Sequence, residues 1–307
     1  MASAAFGMAQ RGKPCGIATY LKGEAEFRCG ALDIAVEEYS RYAFSENAEE
    51  RYVAVALANI GYIYFIQRKY ELSLSYYRKA LKFRLNKDDL FNAGQLAFEL
   101  NLFPEARRYF LQVLEADPTD TLARRAVTSA EFRLGNYLQA EKRAKECIEK
   151  EPNEPFPYLL LAGIYDEKEE YDKAIEVLHE ALRRWPDYVD ALVSLGVCYE
   201  DRGSHEDALE YYRRAAEMEP DNPKHQYVLG NAYFLLKRFP DALEHFRRAH
   251  ALDFDGVCND LRQYYSEPYL LILDISGLDE EAKVERDALK RIEDSESGLE
   301  KWKKWGQ

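Results

Sequence analysis

The stretch LGVCYEDRGSHEDALEYYRRAAEMEP, residues 195–220, decides how this chain of 307 residues folds. It closes at Pro220, and three earlier prolines, Pro118, Pro152 and Pro186, precede it at steps of 34 residues. Each proline ends a block in which alanine and an aromatic or aliphatic residue recur at fixed offsets. A fixed period of this size is typical of repeat architectures, in which each repeat packs mainly against its neighbours.

The spacing inside one block has a physical reason. Gly196 and Ala208 are small and occupy the eighth and twentieth positions, where the two helices of a repeat cross and approach closely. Tyr199 and Tyr212 fall at helical spacing on the buried faces and fill the space beside the small residues. Pro220 ends the second helix, because proline has no N–H for a hydrogen bond inside a helix. The block therefore predicts two antiparallel helices, A and B, joined by a tight turn.

The pattern L-G-x2-Y, A-x3-Y-x2-A, P resembles the tetratricopeptide repeat. The same template fits seven repeats over residues 16–256, after an N-terminal tail of residues 1–15. The resemblance implies an all-α, right-handed superhelical solenoid of about seven helix-turn-helix repeats with C-terminal capping helices. Residues 257–307 are expected to supply a capping helix and a charged amphipathic helix. In the fourth repeat Thr128 stands where glycine or alanine belongs, and we expect it to loosen or re-angle that helix pair.

Charge and cysteine usage limit the partners and the compartment. With 55 acidic and 42 basic residues the chain lacks a basic track for phosphates, so we expect no nucleic-acid partner. No stretch approaches the roughly 20 apolar residues of a membrane span, and residues 1–16 lack the charge order of a secretory signal. The five cysteines include no C-x-x-C pair, which predicts reduced thiols without a disulfide framework or zinc site. We therefore expect a cytoplasmic protein.

The sequence contains no recognisable catalytic constellation. Its five histidines form no H-E-x-x-H pair, and a serine nucleophile elbow, a phosphate-cradling glycine-rich loop and a dinucleotide fingerprint are absent. Acidic pairs such as Glu169 and Glu170 are frequent in this acidic chain and indicate a solvated face. We predict no catalytic residue, no metal site and no cofactor, and hence a protein that is not an enzyme.

The resemblance implies that function lies in a concave groove lined by helix A of every repeat. Positions 2, 5, 9, 12 and 13 of a repeat would point into it, and in the first four repeats they include seven aromatic residues: Tyr20, Phe27, Tyr62, Phe65, Phe91, Phe98 and Phe132. The fifth and sixth repeats contribute an acidic band with Asp166, Glu167 and Asp201, and the seventh contributes Tyr227, Asn231 and Phe234. We predict that these thirteen residues form a partner-binding site.

Parts of this groove keep two interpretations. The aromatic residues either contact a partner or complete the packing between repeats, and the acidic band is either a solvated face or a selector for a basic ligand. A clamp for the C-terminal carboxylate of heat-shock chaperones, which some members of the family carry, is not favoured. Asn59 matches that clamp, but Tyr20 and Glu24 before it and Phe91 and Gln95 after it replace four of its five groups.

The sequence thus predicts a non-catalytic scaffold or adaptor that binds a protein or peptide segment in its groove. The alternative is a self-assembling structural repeat protein that forms homo-oligomers. At the C-terminus, Trp302 and Trp305 stand beside Lys301, Lys303 and Lys304, and this segment is a further candidate contact for a membrane surface or a partner.

Overall fold

The computed structural model describes residues 16–46, 48–252 and 259–294, with side chains described except in 259–266 and 288–294. Every regular element within these residues is an α-helix, which confirms the all-α repeat fold. The sixteen helices are α1 (Gly16–Arg28), α2 (Leu32–Ala43), α3 (Glu50–Ile66), α4 (Tyr70–Phe83), α5 (Lys87–Glu99), α6 (Phe103–Ala116), α7 (Thr121–Arg133), α8 (Tyr137–Lys150), α9 (Phe156–Glu167), α10 (Tyr171–Arg184), α11 (Val189–Asp201), α12 (His205–Met218), α13 (Pro223–Leu235), α14 (Phe239–Leu252), α15 (Asn259–Ile275) and α16 (Asp279–Asp294).

The helices pair in chain order. The pairs from α1–α2 to α13–α14 are the seven repeats, and α15 with α16 forms an eighth pair. The chain divides into two compact units, Met1–Lys150 with α1 to α8 and Glu151–Gln307 with α9 to α16, called here the N-terminal and the C-terminal unit. Within the described residues no helix is both long and apolar enough to span a bilayer.

The turn between helices A and B has the same geometry in all eight pairs. One residue in each turn adopts a left-handed φ of 57 to 86°, and the N–H of the next residue bonds to the carbonyl five positions earlier, as Ser204 does to Tyr199 at 2.7 Å. This is the hydrogen bond of a Schellman motif, which closes a helix C-terminus. The eight left-handed residues are Gly30, Arg68, Asn101, Gly135, Glu169, Gly203, Lys237 and Gly277.

Helices A and B approach closely because a glycine in one faces an aromatic ring in the other. In five of the seven repeats a Cβ atom added to the glycine would lie no more than 3.0 Å from the ring sixteen residues later. Packing therefore favours glycine at position 8, and at Gly23, Gly94 and Gly196 an added Cβ atom would lie under 3.0 Å from the ring. The pairs are Gly23 with Tyr39, Gly61 with Tyr77, Gly94 with Phe110, Gly196 with Tyr212, and Gly230 with Phe246.

In the fourth repeat the larger residue of the pair stands at position 8 and the smaller one at position 24. This repeat places Thr128 at the glycine position and Ala144 at the ring position, and both are fully buried. The Thr128 hydroxyl donates a hydrogen bond to the Arg124 carbonyl at 2.8 Å. The expectation that Thr128 loosens or re-angles this helix pair stays a prediction, although its hydroxyl has a partner and Ala144 at the ring position is smaller than the ring it replaces. The fifth repeat uses an intermediate pair, Ala162 with Leu178.

The eighth helix pair covers the core of the seventh repeat. Four of its apolar side chains join one buried cluster with Phe246 of α14: Tyr269, Ile272, Leu273 and Ala282. Glu281 of α16 accepts hydrogen bonds from the Tyr269 hydroxyl at 2.7 Å and from Arg247 Nε at 2.8 Å. A terminal repeat without such a pair would leave its apolar face in water.

Two parts of the domain prediction lie outside the described residues. These are the N-terminal tail, residues 1–15, and residues 295–307 with Trp302 and Trp305.

Candidate partner-binding site

Aromatic side chains of the first two repeats form a row on the surface of α1 and α3. The Phe27 ring meets the Tyr62 ring edge-on, with 6.0 Å between the ring centroids. The Tyr62 ring stacks on the Phe65 ring, with 6.4 Å between their centroids. Tyr62 and Phe65 are each 45% exposed, although both side chains are large and mostly apolar. Together with Phe91 and Phe98 of α5, these residues are called the aromatic face. Burying such side chains against a partner would release apolar surface from water.

A pocket of about 460 Å³ opens in the N-terminal unit beside this row. Leu96 and Phe110, both nearly fully buried, contribute to its lining. Its rim includes side chains from repeats two and three: Phe65, Tyr70, Phe91, Gln95, Phe98 and Glu99. Three of these, Phe65, Phe91 and Phe98, were predicted site residues, and the structure brings them together around one cavity.

Two polar side chains at the pocket have unused hydrogen-bonding capacity. Gln95 and Glu99 are exposed and lie one turn apart on α5, so they point to the same side of the helix. Neither makes a hydrogen bond or an ion pair to another described residue. A ligand in the pocket would therefore meet an amide and a carboxylate beside its apolar wall.

The sequence prediction omitted Tyr70 and Glu99. Glu99 occupies position 13, which belongs to the groove positions. Tyr70 is the first residue of helix B in repeat two and lies 6.0 Å from the Phe65 ring. No position rule for helix A could include it.

Tyr20 is committed to packing. Its ring lies within 5.8 Å of Tyr39, Tyr42 and Tyr52, and its hydroxyl donates to Glu24 at 3.2 Å. Burial, followed by the Glu24 carboxylate, raises the pKa of Tyr20. Tyr20 therefore completes the packing between repeats one and two, which is the second of the two interpretations given for the aromatic residues.

Asn59, the one residue that matches a chaperone clamp, is occupied within the same network. Its amide donates to Glu24 at 2.9 Å and to the Tyr39 hydroxyl at 3.1 Å. Burial, followed by a hydrogen bond to Glu24, raises the pKa of Tyr39. The network ties repeat one to repeat two and leaves the Asn59 amide engaged.

Phe132 lies in the fourth repeat and does not line the pocket. It is half-buried, with its ring 6.0 Å from Tyr137 at the start of helix B. Arg133, the next residue, places its guanidinium 4.6 Å from the Phe103 ring and 5.8 Å from the Phe98 ring. Guanidinium groups are attracted to aromatic faces, so Arg133 holds these two rings at the edge of the aromatic face.

The acidic band in the C-terminal unit is a cluster of mutually repelling carboxylates. Burial, followed by the charge of Asp201, raises the pKa of Asp166. Burial also raises the pKa of Glu200, again with a contribution from Asp201, and it raises the pKa of Asp201 together with Glu167. Asn231 donates one hydrogen bond to Glu200 at 3.3 Å. The four carboxylates lie close enough to oppose one another's ionisation.

This carboxylate cluster is not arranged as a metal site. Over the described part of the chain, no group of three or more histidine, cysteine, aspartate and glutamate side chains is placed to hold a metal ion.

The seventh repeat departs from the predicted groove at Tyr227. Tyr227 is 1% exposed and packs against Phe246 at 6.5 Å and His250 at 5.6 Å. Placing it on a partner-binding surface is therefore wrong, because it belongs to the core that the eighth helix pair covers. Phe234 is half-buried beside Phe239.

Comparison with known proteins agrees with the repeat geometry. The family profile described as Tetratricopeptide repeat matches residues 91–155, 159–223 and 201–255, and a second profile of the same description matches residues 54–87. The chain belongs to the tetratricopeptide repeat family. The matched residues of this tetratricopeptide repeat protein begin in the second repeat and end in the seventh.

Solved structures share its fold. A tetratricopeptide repeat protein from Parabacteroides merdae superposes with a TM-score of 0.68 at 18% identity, over 84% of this chain and 98% of that chain. A thermophilic tetratricopeptide repeat protein from Thermus thermophilus gives a TM-score of 0.54 at 21% identity, over 60% of this chain and 100% of that chain. Identities this low support the fold and nothing more specific.

Curated relatives match part of the chain. The human protein O-mannosyl-transferase TMTC1 is 25% identical over 132 residues, 43% of this chain and 15% of the relative. The soybean Hsp70-Hsp90 organizing protein 1 is 26% identical over 100 residues, 33% of this chain and 18% of the relative. The Cyanophora paradoxa protein ycf37 is 34% identical over 100 residues, 32% of this chain and 57% of the relative. The chain thus spans 15 to 57% of the length of these relatives.

Proposed function

We propose that this protein is a non-catalytic scaffold that binds a segment of a partner protein on the aromatic face of its N-terminal unit. The observation that carries the proposal is the pocket of about 460 Å³ beside Phe65, whose ring is 45% exposed. Exposed aromatic side chains around a concave pocket are typical of sites that receive an apolar side chain of a ligand. Ordering a flexible segment offsets much of the contact energy, so we expect a dissociation constant on the order of micromolar.

The relatives support a scaffold role. The soybean relative is named for organizing Hsp70 and Hsp90, and its match covers 33% of this chain. The human relative is named as a transferase, but the chain covers only 15% of it. Ser129, a hydroxyl at the pocket, donates its hydrogen bond to the Arg125 carbonyl at 3.2 Å. We therefore infer binding at this pocket, with no catalytic role for the Ser129 hydroxyl.

A double variant with a matched control tests this proposal. Phe65→Ala with Phe98→Ala removes two rings from the pocket, whereas Phe44→Ala with Phe83→Ala removes two rings that are 68% and 47% exposed and do not line it. A partner segment identified by affinity capture and mass spectrometry is titrated by calorimetry. We expect the pocket variant to bind about tenfold or more weakly and the control to bind as the unmodified protein does. An equal effect of both variants, with helical circular dichroism retained, would contradict the proposal.

The acidic band is the second proposed contact, and it would take a basic part of the partner. Its support is the closeness of Asp201 to Asp166 and to Glu167, since a cationic ligand would offset the repulsion among these carboxylates. Replacing both by lysine should slow association and reduce its dependence on salt, because exposed charges act over about 8 Å at physiological ionic strength. If the association rate responds neither to the lysine substitutions nor to salt, the band is a solvated face.

Homo-oligomer formation remains the alternative function. Light scattering across a range of concentrations separates the two, because a scaffold that works as a monomer keeps one mass while a self-assembling protein gains mass with concentration. A cytoplasmic location stays a prediction and would be checked by fractionation of the source cells.

A further inference from the structure

We propose that the pocket of the N-terminal unit selects a partner segment in which a bulky aromatic or aliphatic side chain stands next to a lysine or arginine. This inference rests on the proposed function and specifies the chemistry of its ligand. The apolar side chain would enter the pocket, and the neighbouring cation would pair with Glu99 at its rim.

The size and lining of the pocket fit one large apolar anchor. Its volume of about 460 Å³ lies in the lower part of the range of small-molecule sites, roughly 300 to 1,000 Å³. Phe91 stands against Phe110 with ring centroids 5.5 Å apart, and Phe98 stands edge-on to Phe103 at 5.2 Å. These neighbours hold the pocket rings in place, so an entering side chain meets a preformed apolar wall and loses little free energy to reorganisation.

Glu99 supplies the charge that the anchor's neighbour would meet. Its carboxylate is exposed, lines the pocket and has no ion pair with any described residue. Gln95 lies one turn earlier on the same side of α5, and its amide can both donate to and accept from a peptide backbone. The pocket rim thus offers an acceptor for a cation and an amide for the main chain, and neither is already engaged.

Arg133 is one nearby charge of opposite sign, and it does not line the pocket. Its guanidinium is held over the Phe103 and Phe98 rings at 4.6 and 5.8 Å. A basic ligand residue at Glu99 therefore meets a carboxylate at the pocket, while Arg133 faces the rings at the edge of the aromatic face. This arrangement favours a basic over an acidic neighbour for the anchor.

A peptide array tests the selection. Nine-residue peptides with randomised flanks carry one of four fixed centres, Trp-Lys, Trp-Glu, Ala-Lys or Ala-Glu, and are incubated with the full-length protein. The strongest members are then titrated by fluorescence polarisation. We expect replacement of the Trp anchor by Ala to weaken binding about 30-fold, and replacement of Lys by Glu to weaken it about two- to fivefold, as for an exposed ion pair.

Two variants of equal charge change assign the effect. Glu99→Gln should remove the preference for Lys over Glu while the dependence on Trp remains. Glu115→Gln, which changes an exposed carboxylate on α6 outside the pocket lining, should keep both. If Trp-Lys and Trp-Glu peptides bind equally, or Glu99→Gln changes nothing, the charge selection is wrong. Loss of binding on Phe65→Ala with Phe98→Ala would still support the proposed function in that case. No difference between Trp and Ala peptides would overturn both proposals.

Discussion

Gly94 and Phe110 stand so close across helices α5 and α6 that a Cβ atom at Gly94 would lie 2.5 Å from a carbon of the Phe110 ring. The same relation between positions 8 and 24 recurs in four other repeats. The fifth repeat fills the same space with a different pair. Position 8 holds Ala162, which is larger than glycine, and position 24 holds Leu178, which is smaller than an aromatic residue. In the fifth repeat the summed volume of the pair thus stays similar while its distribution changes.

Gly94→Ala should lower the free energy of unfolding by about 1 to 3 kcal/mol, because the added methyl group overlaps the Phe110 ring. Phe110→Leu added to Gly94→Ala reproduces the pair of the fifth repeat and should recover part of the loss. The coupling would appear in a double-mutant cycle followed by urea denaturation. Strictly additive effects of the two changes would show that the two side chains do not share one space.

Lys237→Gly should stabilise the seventh repeat by about 0.5 to 1 kcal/mol, because Lys237 adopts a φ of 59° that glycine reaches without steric cost. Lys237→Ala serves as the control, since alanine keeps the Cβ atom and removes only the rest of the side chain. Thermal denaturation of both variants gives the comparison. A gain that alanine matches would trace to the lysine side chain and not to the backbone.

Gly203→Ala provides the opposite change at the equivalent turn of repeat six, where φ is 86°. It should cost about 1 kcal/mol or more, since the methyl group is strained at this φ although no neighbouring atom is within 4 Å. The denaturation midpoint should therefore fall. An unchanged midpoint would mean that this turn relaxes freely.

Asp166→Asn should raise the denaturation midpoint at pH 7. The folded pKa of Asp166 is raised by burial and by Asp201, so the folded state binds its proton more readily than the unfolded chain does. The stability contributed by this group is therefore lost as the pH rises from the ordinary aspartate pKa, about 3.9, through the raised folded pKa. At neutral pH the ionised Asp166 lowers the stability of the fold by its full amount. Below about pH 4 the stability difference between the Asn variant and the unmodified protein should shrink. Asp187→Asn, at an exposed aspartate outside the band, is the control for the loss of one charge.

Removal of residues 259–307 should expose the core of the seventh repeat. Phe246 and Tyr227 would lose the cover of Tyr269 and Leu273, with which they share one buried cluster. Hydrogen exchange should then lose protection in α13 and α14 before any other repeat, because each repeat is stabilised by its neighbours. Unchanged protection in these two helices would mean that the eighth pair is an independent appendage.

The residue pattern predicted the helix pairs well and the surface less well. Glycine at position 8 and the ring at position 24 report local packing, and proline at position 32 recurs in repeats three to six, so their spacing predicted the helix pairs. The left-handed turns could be located by glycine only in part, because Arg68 and Glu169 hold the same φ without a residue type that favours it. There the turn is imposed by the helices on either side.

Positions that the sequence placed in the groove are half or fully buried where the neighbouring repeat covers them. Tyr20 and Tyr227 both occupy position 5, and in each case the ring packs between helix B of its own repeat and the next helix pair. Position 5 is therefore half or fully buried whenever it carries a large side chain. The pocket also depends on Tyr70 of a helix B, which no rule for helix A contains.

The fourth repeat has its larger residue, Thr128, at position 8 and its smaller one, Ala144, at position 24. The helices of the third and fourth repeats therefore cannot replace one another without a mismatch in packing. If helix B of repeat three docked one repeat out of register, Phe110 would meet Thr128 and overlap it, while Gly94 would face Ala144 across an empty space. Arrays of near-identical repeats are prone to such misassembly during folding. One threonine where a glycine is expected thus penalises a slipped alignment of the third and fourth repeats through packing alone, in addition to the Arg107–Glu131 ion pair that joins the two repeats.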